Sequence, residues 1–170
     1  MSSRRNYHRW QTISQMPSIQ NHGGMNSGIC KVRDIFTGQI CIEKRLAPTL
    51  IATGRARLEI SALKTLIGHP SINQLVDWYI DHNLRQGSLF LEYCNHGSLE
   101  GYIEESKREQ QMISEKLIWK WFLQIASALS FCHYGPNPEN AQARSRHNTV
   151  CHRVNICSTD MPKPVLTNLF

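Results

Sequence analysis

From Ile29 to Ile35 the chain alternates apolar and polar residues, the period of a half-buried strand. A Thr37-Gly38 turn leads into a second alternating run, Gln39 to Leu46, and so predicts an antiparallel hairpin. From Ala56 the period lengthens. Leu58, Ile60, Leu63, Leu66 and Ile67 recur at three and four, one face of a helix that Gly68 and His69-Pro70 bring to a stop. Ile72 to Tyr79 and Ser88 to Tyr93 read as two more strands around a polar turn, Asp81 to Gly87. Ser98 is placed to cap a short helix, Leu99 to Lys107. Ser114 is placed to cap a long one over 115–134, with Leu117, Ile118, Trp121, Phe122, Ile125, Leu129 and Cys132 as its apolar stripe. Gly135-Pro136-Asn137-Pro138 ends that helix, and 135–149 is a polar, basic loop. Beyond it, short apolar patches are separated by Pro162 and Pro164. Residues 1–22, polar, basic and aperiodic, are expected to form a mobile arm. The order predicts an α+β protein: a small antiparallel sheet with one helix against it, then a helical portion.

Composition narrows the class without naming a function. A chain of 170 residues is one ordinary domain in size, long enough to bury roughly 70% of its unfolded surface. With 41% apolar residues and a mean hydropathy of −0.39, it is neither a membrane protein, nor collagen-like, nor wholly disordered. Nineteen Lys and Arg against 13 acids give +6, spread along the chain, which describes a basic soluble surface more than a nucleic-acid partner. The six cysteines, at 30, 41, 94, 132, 151 and 157, form no C-x-x-C pair, and no apolar segment follows the N-terminal arginines. They are expected to be thiols in a reducing, intracellular compartment. Cys151, His152 and Cys157 with His147 match no standard zinc spacing.

The motifs, taken in order, resemble the first half of a protein kinase catalytic domain, most closely the fungal NIMA-related serine/threonine kinases. Gly23 to Gly28, followed by Cys30, falls where a G-x-G-x-x-G-x-V loop would lie. Ile42-Glu43-Lys44 matches the family's A-x-K, and Glu59 its helix glutamate, followed by His69-Pro70-Ser71-Ile72 for H-P-N-I. Leu89 to Cys94 resembles the hinge strand, and Cys151-His152-Arg153 stands where the family has H-R-D. On that resemblance the fold is a kinase-like N-lobe and hinge over 23–94, after the arm 1–22. A partial helical C-lobe follows over 95–170. The resemblance implies an ATP site built from Gly23, Gly28, Cys30, Ile42, Lys44, Glu59, Leu91 as gatekeeper, Glu92 and Cys94. The chemistry explains the residue types. Glycines let backbone amides close on phosphates, a strand lysine meets the α/β-phosphates, and a helix glutamate holds that lysine in place.

The departures from the family pattern fall where phosphoryl transfer is done. Met25 replaces the middle glycine of the loop. His152 and Arg153 are followed by Val154, which can neither accept a proton nor hydrogen-bond a hydroxyl where the family has its catalytic aspartate. Ile156 and Thr159 stand at the lysine and metal-binding asparagine positions, with Asp160 one residue further on. Asn168 occupies the D-F-G aspartate position, and a neutral amide holds Mg²⁺ poorly. The chain ends there, before an activation segment. The sequence therefore predicts an inactive or barely active kinase-like protein that retains weak ATP binding, with Mg²⁺ doubtful. The alternatives are a fragment, or a misread gene, of an active serine/threonine kinase and, more distantly, a basic nucleic-acid or protein-binding module. The apolar stripe of the 115–134 helix is expected to need a protein partner or to remain partly exposed. No membrane association is expected.

Overall fold

The structure, a computed structural model, describes residues 9–15, 26–95 and 98–135. These divide into two compact units. The first holds the described residues up to Thr65 together with Gln74–Tyr93, and the second holds Leu66–Asn73 and those from Cys94 onward.

The first unit is a five-stranded antiparallel sheet in the order β1-β2-β3-β5-β4, built from β1 (Trp10–Gln15), β2 (Asn26–Asp34), β3 (Ile40–Leu46), β4 (Leu75–Asp81) and β5 (Gln86–Glu92). The hairpin joining β2 to β3 turns at Gly38, whose φ of 74° is one that L side chains resist. The turn is closed by a bond from the Asp34 amide to the Gln39 carbonyl. Two short connections follow β3: α1 (Pro48–Ala52), with proline in its first turn, and α2 (Arg55–Thr65).

Each face of the sheet has its own apolar cluster. On one face Leu46, Leu89 and Ile80 meet Leu50 and Ile51 of α1 and Ala56 and Ile60 of α2. On the other, Cys30, Val32, Cys41 and Phe90 pack with Trp10, Val76 and Tyr79.

Three expectations are corrected here. The predicted mobile arm, 1–22, contains an ordered strand over Trp10–Gln15, paired to β2 from Trp10↔Asp34 to Gln15↔Cys30. It was invisible to periodicity because only Trp10 is half-buried while its other residues face solvent. The helix that does pack on the sheet does so through Ala56 and Ile60, with Leu63 alongside, whereas Leu58 is 71% exposed and Ile67 also faces out. The strand expected from Ile72 begins at Leu75, and Ile72 instead joins the core of the second unit.

That second unit contains α3 (Leu99–Arg108) and α4 (Glu115–Tyr134). Both predicted caps are in place. The Ser98 hydroxyl accepts from the Gly101 amide at 3.0 Å, and that of Ser114 from the Leu117 amide at 3.4 Å. Leu66, Ile72 and Ala128 form the core, with Ile125, Phe131 and Cys132 around it. Tyr102 of α3 meets the Trp121 ring edge-on, 5.4 Å between centroids. Beyond Gly135, the loop predicted over 135–149 and the short apolar patches expected after it lie outside the described residues.

Candidate functional site

The chemistry-bearing residues that the structure brings together lie on one face of the first unit. Direct antiparallel partners point to the same side of a sheet. Ile29 pairs with Lys44, Lys31 with Ile42, Ile42 with Leu91 and Lys44 with Leu89, so these side chains share the face that α2 covers in part. Leu91 is buried there. Alternation along β3 sets Lys44 two residues from Ile42, and α2 presents Glu59 beside Ile60 of the core. Lys44 Nζ donates to Glu59 Oε1 at 2.6 Å. The two side chains retain only 17% and 14% of their exposure, so the pair is shielded from water on most sides.

Gly28, the third residue of β2, follows an irregularity in the pairing with β3, between Asn26 and Gly28. Its φ of 136° would strain any L residue, although a Cβ there would meet nothing. The glycine is required by backbone conformation and not by crowding.

Cys30 does not join this group. It pairs with Glu43, on the opposite face, and is buried at 2% exposure with Val32, Cys41 and Phe90. The residue that stands over the Lys44 side is Ile29, 38% exposed. Because a strand has period two, an offset of one residue exchanges faces. Motif spacing alone places Cys30 two residues after Gly28 without fixing its face, whereas counting back from Lys44 across the hairpin, where the pairing is regular, reaches Ile29. Ile29 is the residue on the Lys44 face that sequence reasoning missed, and the hairpin register was the signal that could have found it.

The Glu92 amide is bonded to the Gln74 carbonyl at 3.0 Å, which secures the last residue of β5. Cys94 belongs to the second unit and is buried. Gly23, Met25, His152, Arg153, Val154, Ile156, Thr159, Asp160 and Asn168 lie outside the described residues. Among the described residues no cluster of three His, Cys, Asp or Glu could hold a metal ion, and no helix is long and apolar enough to cross a membrane.

An antiparallel sheet that presents a lysine to a helix glutamate, beside an apolar patch and a strand with a positive-φ glycine near its start, is the arrangement the kinase resemblance requires. The protein kinase domain profile matches residues 23–136, about two-thirds of the chain. The chain belongs to the protein kinase family. Within it the chain is NIMA-like. It is 31% identical over 142 residues to the G2-specific protein kinase nim-1 of Neurospora crassa, covering 80% of this chain and 15% of that protein. It is 28% identical over 145 residues to the G2-specific protein kinase nimA of Emericella nidulans, covering 74% of this chain and 20% of the relative. It is 27% identical over 105 residues to the human serine/threonine-protein kinase Nek2, covering 61% of this chain and 24% of the relative. The chain thus spans a quarter or less of the length of each of these relatives. The α+β expectation, with a kinase-type sheet and helix followed by further helices, agrees with the fold and with this family.

Proposed function

We propose that this kinase-like chain binds ATP weakly through its first unit and transfers little or no phosphate. The observation that carries the reading is the Lys44–Glu59 pair at 2.6 Å, the one element of nucleotide recognition that requires a specific long-range contact. Ile29 and Ile42 supply an apolar surface suited to a planar base, and Gly28 keeps a positive φ near the start of β2. Lys44, oriented by Glu59, would bind the α/β-phosphates. When bound, ATP supplies the transferable phosphoryl group, and Val154, at the position of the family's catalytic aspartate, cannot take a proton from an acceptor hydroxyl. Asn168 in place of a carboxylate argues for weak dependence on Mg²⁺. The reading carries an intracellular setting, supported by the four cysteines of the described residues, all thiols. It also carries a protein partner against α4, supported by the outward-facing Ile118, Phe122 and Leu123.

A second reading, a serine/threonine kinase of which this chain is a part, is supported by the small share of each relative that the chain spans. Thermal unfolding with ATP, with and without Mg²⁺, tests the first. Ligand at ten times its Kd adds about 1.4 kcal/mol, roughly 3–6 °C in Tm for a chain of this size. The rise is expected in wild type and absent in Lys44→Met. No rise in wild type sinks ATP binding, and phosphate transfer that Lys44→Met abolishes would overturn the inactive reading in favour of the second.

A further inference from the structure

Two lysines stand on the site face of the sheet, and each is committed to a different partner. Lys44 lies opposite Ile29 and pairs with Glu59, and Lys31 lies opposite Ile42. Lys31 reaches over β3 and brings its Nζ to 4.1 Å from the centre of the Tyr93 ring. Tyr93 immediately follows Glu92, the last residue of β5, at the end of the first unit. Strands β2 and β5 are separated by β3, a span of roughly 9.5 Å, so the contact ties together two elements that do not hydrogen-bond to each other. Between the two lysines, diagonal across the hairpin, are Ile29 and Ile42.

We propose that Lys31 and Tyr93 are positioning residues for the nucleobase: a cation–π clasp that holds β2 against the end of β5 and walls the apolar patch on the side away from Lys44. The inference rests on the nucleotide-binding reading above and assigns a division of labour within it. The ammonium of Lys31 is held by the electron-rich face of a ring, beside two isoleucines, in surroundings that suit a flat heteroaromatic ligand. The ammonium of Lys44 is held by a carboxylate and is the one suited to phosphate. Loss of the clasp therefore weakens adenosine and ATP alike, whereas loss of Lys44 weakens ATP alone.

Calorimetric titration of adenosine and ATP into purified variants tests this. Lys31→Ala and Tyr93→Leu are each expected to weaken both ligands by roughly three- to tenfold, the value of one cation–π contact. Lys31→Arg and Tyr93→Phe, which keep cation and ring, retain wild-type affinity for both, and Lys44→Met loses ATP affinity while holding adenosine. Adenosine binding unchanged in Lys31→Ala and Tyr93→Leu, or Tyr93→Phe as damaging as Tyr93→Leu, overturns the proposal. Amide hydrogen exchange at Ile29–Val32 without ligand separates this from failure of the nucleotide reading. Faster exchange in Lys31→Ala, with no ligand taken up by wild type, upholds the clasp and overturns nucleotide binding. Unchanged exchange overturns the clasp itself.

Discussion

Asp34 has no exposed surface, yet it is charged, and the reason lies one strand away. Arg9 donates to its Oδ2 from Nε at 2.9 Å and from Nη2 at 2.7 Å, and the Phe36 amide donates to Oδ1 at 3.0 Å. The Arg9 hydrogen bonds, outweighing burial, hold the carboxyl well below its ordinary value. His69 is shifted for the opposite reason. Burial pushes its pKa below the usual 6.5, and its Nδ1 accepts from the Ser71 amide at 3.1 Å, a bond that protonation of that nitrogen would break. Both shifts are downward, so both stabilising contributions are present at high pH and are lost on acidification, in separate windows. The His69 contribution declines as pH falls below about 6.5, and that of Asp34 only as it falls below about 3.8. Urea unfolding followed from pH 8 to pH 3 should show both declines. His69→Asn is expected to flatten the first window and Asp34→Asn the second, and a fall untouched by either substitution would contradict the assignment. Arg9→Ala, which strands the buried carboxylate, should cost about 2 kcal/mol at pH 7 in the same experiment.

At the scale of elements, legibility in the sequence followed the number of residues that a core commits. The α4 boundaries, 115–134, were readable because a serine cap, a Gly135 stop and a long apolar run agree. Its buried side was not, because the run is wider than one face. Leu117, Trp121 and Ala128 are buried, while Ile118, Trp119 and Leu123 point outward and Phe122 is 58% exposed. The same ambiguity misplaced Leu58 on α2. The edge strand β1 commits one half-buried tryptophan, stacked 4.3 Å from Phe90, and its pairing is set by Arg9 and Asp34, which no hydrophobic period reports. The five-residue α1 is too short to show a period at all. Substitution can expose the division on α4. Trp121→Ala should destabilise by about 3–4 kcal/mol, as loss of a buried ring does. The double substitution Ile118→Lys with Phe122→Glu should change stability by no more than about 0.5 kcal/mol while reducing binding of an apolar dye. Chemical denaturation and dye fluorescence measure the two, and a double variant as unstable as Trp121→Ala would show the outward face to be core.

Over the whole molecule the motif order carried the family and the principal ion pair, because Lys44 and Glu59 each sit inside a regular element whose period is clear. The site was less legible where motif spacing, without the hairpin register, had to assign a face, so that Cys30 was expected in a place that Ile29 occupies. That exchange has a consequence for reactivity. A cysteine on the site face would be open to reagents, whereas one on the far face is sealed with Cys41 in the cluster beneath Phe90. Burial pushes the Cys41 thiol up to about 11, so that at pH 7.5 only roughly one molecule in three thousand carries the thiolate that reacts. In the second unit Cys94 is buried and Cys132, near the end of α4, is partly open. Brief treatment with N-ethylmaleimide at pH 7.5, read by peptide mass mapping, should therefore modify Cys132 well before Cys94, Cys30 or Cys41. Cys30 and Cys41 should resist until the sheet unfolds, and their modification should then follow the loss of sheet structure with increasing urea. Saturating ATP should change the slow rates at Cys30 and Cys41 by the same factor, through stability alone, because both lie on the face away from the proposed nucleotide site. Rapid labelling of Cys30 that ATP blocks would return Cys30 to the site and displace Ile29 from it.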